Sequence, residues 1–402
     1  MPTSTLPETL AGAGRLDAEL TAVSRHCRSL APELREAGVL LDRDPDAITG
    51  MVDLQAVKVM RAAATPQQYQ RAVDAPEEVT LTGTSCLEWT VVLEGIAYGD
   101  ASVVLGGPGP SLSGAAVVAL GSPAQREEYF AKLAGPTWTF FALTEPNKGS
   151  AVLELETRLD RDPDADGKGW LLNGEKRYVG NAARAQLGVV FCRRAPGPWG
   201  IEAVLVDTAD PGFHGELLPT VGLRGARLSK LRFDGVRITE DRVLGLDRPP
   251  SRRGFYGAWR TLLRCRPTIA GMALGVTQAV FDYVREQRPD LPRWRELELS
   301  GLERQVAAVR RLTYDVAADI DREIVNPHRI GAVKMRAAQL GVQATLLAAD
   351  LLGPASLLEH PWLAKAYRDM RGFELMEGAA NLHRVSVFQG LLKDDFFAEA
   401  AQ

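Results

Sequence analysis

The segment Phe141-Ala142-Leu143-Thr144-Glu145-Pro146-Asn147-Lys148-Gly149-Ser150 holds residue types with much to offer a ligand. Thr144 and Ser150 supply hydroxyls that both donate and accept, and Gly149 lets backbone come close to a bound molecule. Pro146 fixes one φ angle and removes one donor, which stiffens the turn. Such a loop suits an anionic, planar cofactor. Metal chemistry finds no comparable footing. The five histidines form no H-x-x-x-H or H-E-x-x-H pair, and Cys27, Cys86, Cys192 and Cys265 show no C-x-x-C spacing. Scattered cysteines instead predict reduced thiols in a cytoplasmic protein.

The elements that must position this loop fall into three zones. At 402 residues the chain exceeds one ordinary core, and its 46% apolar content is that of a globular protein. A net charge of −4 argues against nucleic acid or anionic membrane as a general partner. No apolar run approaches the roughly 18 residues of a membrane span. Met1 to Gly14 lacks the basic and apolar regions of a secretory signal.

Residues 1–135 read as helical, with Leu16, Leu20 and Val23 on one face and further helices over Leu87–Tyr98 and Gln125–Leu133. Ser122-Pro123 is a helix start, and Gly106-Gly107-Pro108-Gly109-Pro110 is a plain connector. From residue 136 to 247 the period changes to two. Strands are expected over Leu187–Cys192, Glu202–Asp207 and Leu228–Phe233, and Asn173-Gly174 predicts a tight hairpin. From residue 248 to 402, Leu299, Leu302, Val306, Val309, Leu312, Val316 and Ile320 recur at helical steps. Val333, Ala337, Leu340, Ala344, Leu347 and Leu351 do the same, as in a four-helix bundle. The expected fold is mainly α with a central β-barrel or sandwich domain.

Four segments make the chain similar to the acyl-CoA dehydrogenase superfamily. They are Thr144–Ser150, Asn173–Asn181, Gly222–Gly225 with Leu231–Arg237, and Tyr367-Arg368-Asp369 followed by Met376-Glu377-Gly378-Ala379-Ala380-Asn381-Leu382-His383-Arg384. The resemblance implies FAD held between an N-terminal helical domain, a middle β domain and a C-terminal bundle, in a homodimer or homotetramer. It places Phe141, Leu143 and Thr144, with Gly149, along the flavin ring, and Ser150 at its phosphate or ribityl region. Tyr178 would stack on the flavin, the backbone of Val179 and Gly180 would face its N5 edge, and Asn381 would meet the adenine end.

The catalytic base of the family falls on Glu377, which would remove the proton next to a thioester carbonyl while a hydride leaves the neighbouring carbon for the flavin. Arg266, Leu262 and Gly378 fall beside the substrate. Glu374 and Cys265, the other candidates for the base, fit the pattern less well. The acyl thioester would be carried by coenzyme A or by a carrier protein, with an electron-transfer flavoprotein or O2 as acceptor.

The chain departs from the family pattern at Leu263, Ala151, Gly180, Arg288–Pro292, Leu352–Ala355 and Ala379, mostly on the coenzyme A arm and the dinucleotide half of FAD. These departures motivate the expectation of a carrier protein docking on Arg252, Arg253, Arg260, Arg264 and Arg266. They also keep open flavin-dependent oxygen chemistry on the same fold and a non-catalytic carrier-binding role.

Overall fold

The computed structural model describes residues 16–76, 79–149, 151–164 and 169–396. Its N-terminal part is built from α1 (Ala18–Ser29), α2 (Ala31–Arg43), α3 (Gln55–Ala63), α4 (Cys86–Ala97), α5 (Ala101–Gly106), α6 (Ser111–Leu120) and α7 (Pro123–Ala131). Ser122 opens α7 with a complete capping box, its hydroxyl accepting from Gln125 N while Gln125 Oε1 accepts from Ser122 N. The glycine-proline connector separates α5 from α6, but its first residue, Gly106, closes α5, and only residues 107–110 lie in neither helix.

Among the described residues seven strands follow: β1 (Thr139–Ala142), β2 (Arg158–Arg161), β3 (Trp170–Val179), β4 (Leu187–Arg193), β5 (Ile201–Asp207), β6 (Phe213–Leu217) and β7 (Ser229–Ile238). They form one mixed sheet in the order β1-β4-β2-β3-β7-β6, with β5 antiparallel to β4. The hairpin expected at Asn173-Gly174 is not there, because β3 runs straight through both residues. Between Leu172 and Gly174, β7 advances three residues while β3 advances two, so the partner strand bulges. Asn173 Oδ1 accepts from Gly235 N inside that bulge at 2.8 Å. Gly174 serves close approach rather than a turn: at φ +140°, a Cβ there would lie 2.6 Å from Thr157 Cα.

The C-terminal part consists of α8 (Gly254–Gln287), α9 (Arg293–Asp321), α10 (Pro327–Leu352), α11 (Ser356–Glu359), α12 (Pro361–Leu375) and α13 (Ala380–Leu392). Helix α10 packs against α8, α9, α12 and α13. The N-terminal helix α4 lies on α8 and α9, which makes the two helical parts share one core. The approach is tight enough that a Cβ on Gly275 of α8 would meet the Glu94 carbonyl oxygen at 2.2 Å. All four cysteines are buried and free. Among the described residues no helix is long and apolar enough to cross a membrane, and no cluster of metal-ligating side chains occurs.

Buried ionic groups tie the parts together. Lys365 on α12, 3% exposed, donates to Asp100 Oδ2 at 2.5 Å and Asp369 Oδ2 at 2.6 Å. Asp100 caps α5 in the N-terminal part, and Asp369 Oδ1 accepts from Leu223 N in the loop before β7. One ammonium therefore joins all three parts, and its two carboxylates hold it firmly in the charged form. A second buried group joins Glu94 of α4 to Arg310 and Tyr314 of α9, each at 2.7 Å.

Removing one member of such a cluster leaves uncompensated charge inside the protein. Lys365→Met is expected to lower stability by about 3–5 kcal/mol, read as a shift of the urea-unfolding midpoint. A surface control such as Lys393→Met should move it by less than about 0.5 kcal/mol.

Candidate active site

Helix α12 ends at Leu375, and α13 begins at Ala380. The short link between them turns through left-handed backbone, with φ +52° at Glu377 and +100° at Gly378. Glycine takes such a value freely, whereas a glutamate there is strained and must be held by its surroundings. Two cations hold it by the main chain. Arg266 Nε of α8 donates to the Glu377 carbonyl at 3.1 Å, and Lys334 Nζ of α10 donates to the Gly378 carbonyl at 2.7 Å. Lys334 also reaches the Glu374 carbonyl at 3.4 Å.

This clamp leaves the Glu377 side chain unspent. Its carboxylate makes no hydrogen bond among the described residues, and neither does its backbone N–H. Burial raises its pKa above the usual glutamate value, and the nearby Arg266 and Lys334 charges only partly oppose this. Lys334 is itself fully buried, and desolvation pulls it down to about 8.

His383, on the first turn of α13, is buried with no partner for its Nε2 among the described residues, and burial lowers its pKa to about 4. It is a neutral wall against Gly378, where a Cβ would lie 2.9 Å from Nε2. The Cys265 thiol lies in the field of Glu377, but burial, its main influence, pushes it well above the ordinary thiol range. Glu374 is committed elsewhere, in an ion pair with Arg371 at 2.9 Å.

The loop singled out by its hydroxyls lies on the β domain, braced from beneath. Fully buried Lys176 donates to the Leu143 carbonyl at 3.1 Å and to Glu145 Oε1 at 2.9 Å. Arg177 N donates to the Thr144 carbonyl at 2.9 Å, so the loop after β1 meets the end of β3. Ser150 lies outside the described residues.

Tyr178 has φ +59° and is 59% exposed, its ring displayed beside Arg177. Val179 is buried and pairs with Ser229. Gly180 faces open space, since a Cβ there would meet only the Ala226 carbonyl oxygen at 3.6 Å; around Gly149 a Cβ would meet nothing within 4 Å. A displayed aromatic ring, two open glycines and the partly exposed Thr144 make a cradle that fits a flat, ring-bearing cofactor.

Two contacts relate this cradle to Glu377. Phe141 and Leu262 border the same apolar cluster, which includes Leu143 and Ala258, and Arg266 lies one helical turn beyond Leu262. On the other side, Ala226 O accepts from Asn181 N at 2.8 Å, and the same loop reaches α12 through Leu223 and Asp369. Glu377, Gly378 and Arg266 thus come together directly, and Leu262 turns toward the cradle. Asn381 is exposed on α13, where its Oδ1 accepts from Arg384 at 3.4 Å.

The five arginines proposed as a docking patch are mostly spoken for. Arg253 pairs with Glu202, Arg260 forms a two-pronged pair with Glu323, Arg264 pairs with Asp321, and Arg266 holds the Glu377 segment. Leu263 is buried in an apolar cluster that includes Cys86, Tyr314 and Val333. Lys334 and His383 carry no role in the sequence reading, although a lysine on the apolar stripe Ile330, Val333, Ala337 is a visible signal.

The acyl-CoA dehydrogenase N-terminal, middle and C-terminal domain families match residues 71–136, 140–236 and 252–392. The mitochondrial isovaleryl-CoA dehydrogenase of Oryza sativa subsp. japonica is 29% identical over 336 residues, spanning 80% of each chain. In structure, a glutaryl-coenzyme A dehydrogenase complexed with glutaryl-CoA superposes with a TM-score of 0.81 at 21% identity, covering 96% of this chain and 98% of that one. The prolyl acyl carrier protein oxidase AnaB superposes with a TM-score of 0.78 at 18% identity, covering 94% and 99%. The chain belongs to the acyl-CoA dehydrogenase superfamily, an oxidoreductase of the flavoprotein kind, with the family's helix–sheet–bundle architecture.

The raised pKa of Glu377 has a stability consequence. A carboxyl that is harder to ionise when folded costs stability as pH rises from its unfolded pKa through its folded one. Glu377→Gln should therefore raise Tm relative to the parent at pH 7, with the gain vanishing below the unfolded pKa of about 4.3. Lys334→Met, which removes a cation favouring the carboxylate, should move the Glu377 titration further upward, as read by carboxyl 13C NMR or infrared difference spectra.

Proposed function

We propose that this protein carries out FAD-dependent α,β-dehydrogenation of an acyl thioester, with Glu377 as the base that takes the α-proton. The observation that carries this reading is the partly buried Glu377 carboxylate, without a hydrogen-bond partner among the described residues, on a strained link clamped by Arg266 and Lys334. A base for a weakly acidic C–H must be ionised at working pH yet eager for a proton. Enclosure supplies the second property, and the two nearby cations supply the first. The unspent Glu377 N–H adds a donor for the thioester oxygen, where negative charge grows as the proton leaves.

FAD, when bound, supplies the hydride acceptor. Phe141, Leu143, Thr144, Gly149, Tyr178 and Gly180 are the described residues that would hold its ring system, with the backbone of Val179 behind. Ser150 and Asn381 are assigned its ribityl or phosphate region and its adenine end by family resemblance. Arg266 orients the base, and Leu262 lines the passage between base and cradle. Neutral His383 and the inert Cys265 thiol keep the surroundings of Glu377 dry without competing for the proton.

The acyl group is proposed to arrive on a phosphopantetheine arm, the feature shared by coenzyme A and carrier proteins. The pairing of Arg253, Arg260 and Arg264 with chain carboxylates leaves little free charge for a carrier-protein surface. The same acyl group on coenzyme A and on a carrier protein is accordingly expected to give kcat/KM values within about tenfold, since a contact worth more than 1.4 kcal/mol would exceed that ratio. A hundredfold preference for the carrier-protein thioester would restore a dedicated docking surface.

The role of Glu377 is tested by anaerobic single-turnover reduction with a saturated thioester. Glu377→Gln should bind flavin with unchanged absorbance and lose about 10²–10⁴ of the reduction rate. Parent-like reduction by the variant would remove Glu377 from the chemistry.

A further inference from the structure

A cavity of about 320 Å³ lies where the N-terminal helices meet the first half of α8. Tyr256, Arg260 and Arg264 line it, and their i, i+4, i+8 spacing places them on one face of that helix. Arg266, which holds the Glu377 segment, is two residues past Arg264 and so about 200° around the axis. The cavity is therefore across the helix from the candidate catalytic site. Its space comes from small residues, among them Ala63, Ala64, Gly83, Ala115 and Ala119, with Trp89 and Tyr256 as flat walls.

Polar groups at this cavity are left wanting a partner. Thr261 is 1% exposed, lines the cavity, and its hydroxyl has no hydrogen-bond partner among the described residues. Buried threonines elsewhere in the helices avoid this by bonding to the carbonyl four residues back, as Thr90, Thr277, Thr313 and Thr345 do. Leaving such a group unsatisfied is costly. Among the described residues the lining also contains three arginines and no acidic residue. Glu323 and Asp321 neutralise Arg260 and Arg264 from outside the cavity. Arg248 pairs with no carboxylate among the described residues; its guanidinium spends one bond, on the Ala119 carbonyl at 2.5 Å.

We propose that this cavity is a second ligand site, separate from the Glu377 site, for a small monocarboxylate bearing a flat or short apolar body. Arg248 provides the charge for the carboxylate, with Thr261 as a buried hydrogen-bonding partner, while the aromatic walls and the alanines accept the apolar body. The volume is at the lower end of small-molecule sites, which fits a ligand of benzoate size and not a whole coenzyme. A position between two parts of the chain is where such sites commonly form.

Benzoate and its neutral isostere benzamide are the probes, followed by ligand-observed NMR and calorimetric titration on the full chain. Benzoate should bind saturably and at least about tenfold more tightly than benzamide, the effect of one charge-assisted bond. Thr261→Val should weaken benzoate by about tenfold, and Ala115→Phe, which fills the cavity from the part-exposed α6, should abolish binding. Glu377→Gln should leave it unchanged. Ligand-free Thr261→Val should melt at or above the parent temperature, because it removes an unsatisfied buried hydroxyl. The proposal is overturned by the absence of saturable binding, or by binding indifferent to Thr261→Val and Ala115→Phe. It is equally overturned if benzoate is displaced by an acyl thioester or lost in Glu377→Gln, either of which would place it in the catalytic cleft. A fall in the melting temperature of ligand-free Thr261→Val would show the hydroxyl already satisfied and remove the reason for the site.

Discussion

The buried ammonium of Lys365 is the constraint on which the rest of the arrangement depends. A cation taken fully out of water must have its partners in place or be expelled. Here those partners come from different parts of the chain: Asp100 and Ser102 from the N-terminal helices, and Asp369 from the bundle, with Asp369 in turn holding Leu223 of the β domain. The apolar core is continuous across these parts, but the hydrophobic attraction behind it has no direction. A three-way charged junction has one. It fixes where α12 ends, and α12 carries the link that presents Glu377.

On the proposed function, the link holds a strained residue without spoiling its chemistry. Had Arg266 or Lys334 bonded to the Glu377 carboxylate, the group would be a stable ion and a poor base. Both instead bond to neighbouring main-chain carbonyls. Their charges are felt by the carboxylate only through space, enough to moderate the effect of burial and not enough to cancel it. The same separation of support from function recurs at the cradle, where Lys176 and Glu145 form a dry pair under the loop while Thr144 and Tyr178 remain accessible.

Local patterns made much of the fold legible. The capped start of α7 and the long apolar stripes of α9 and α10 are properties of short windows and fall where their spacing says, except at Leu312, which is 49% exposed. The segments around Thr144, Tyr178 and Glu377 were recognisable because each carries several unusual residues in a row. What escaped were partnerships between distant positions with no sequence pattern of their own. Lys334 bonds to backbone carbonyls 40 and 44 residues further on, and any residue type could offer those. The Asn173-Gly174 pair misled for a related reason. Its local chemistry is that of a turn, but Thr157 passes so close that only glycine fits there, and the asparagine side chain is taken by a bulge on the neighbouring strand.

The irregular end of β3 has a bearing on how this surface could change over evolutionary time. Between Lys176 and Val179 the strand advances three residues while β7 advances two, so one residue on β3 is supernumerary. Simple alternation from the buried Lys176 would send Tyr178 inward; the extra residue reverses the phase, putting Tyr178 outside and Val179 inside. The display of that ring is thus encoded in residue count more than in residue identity. Many side-chain replacements at 178 would leave the backbone protrusion intact and merely exchange what it offers. A single-codon deletion within 177–178 would restore the alternation and erase the protrusion, while the rest of the sheet kept its pairing. Lineages of this fold could therefore gain or lose an aromatic platform by a length change of one, a step that aligned substitution counts would not register.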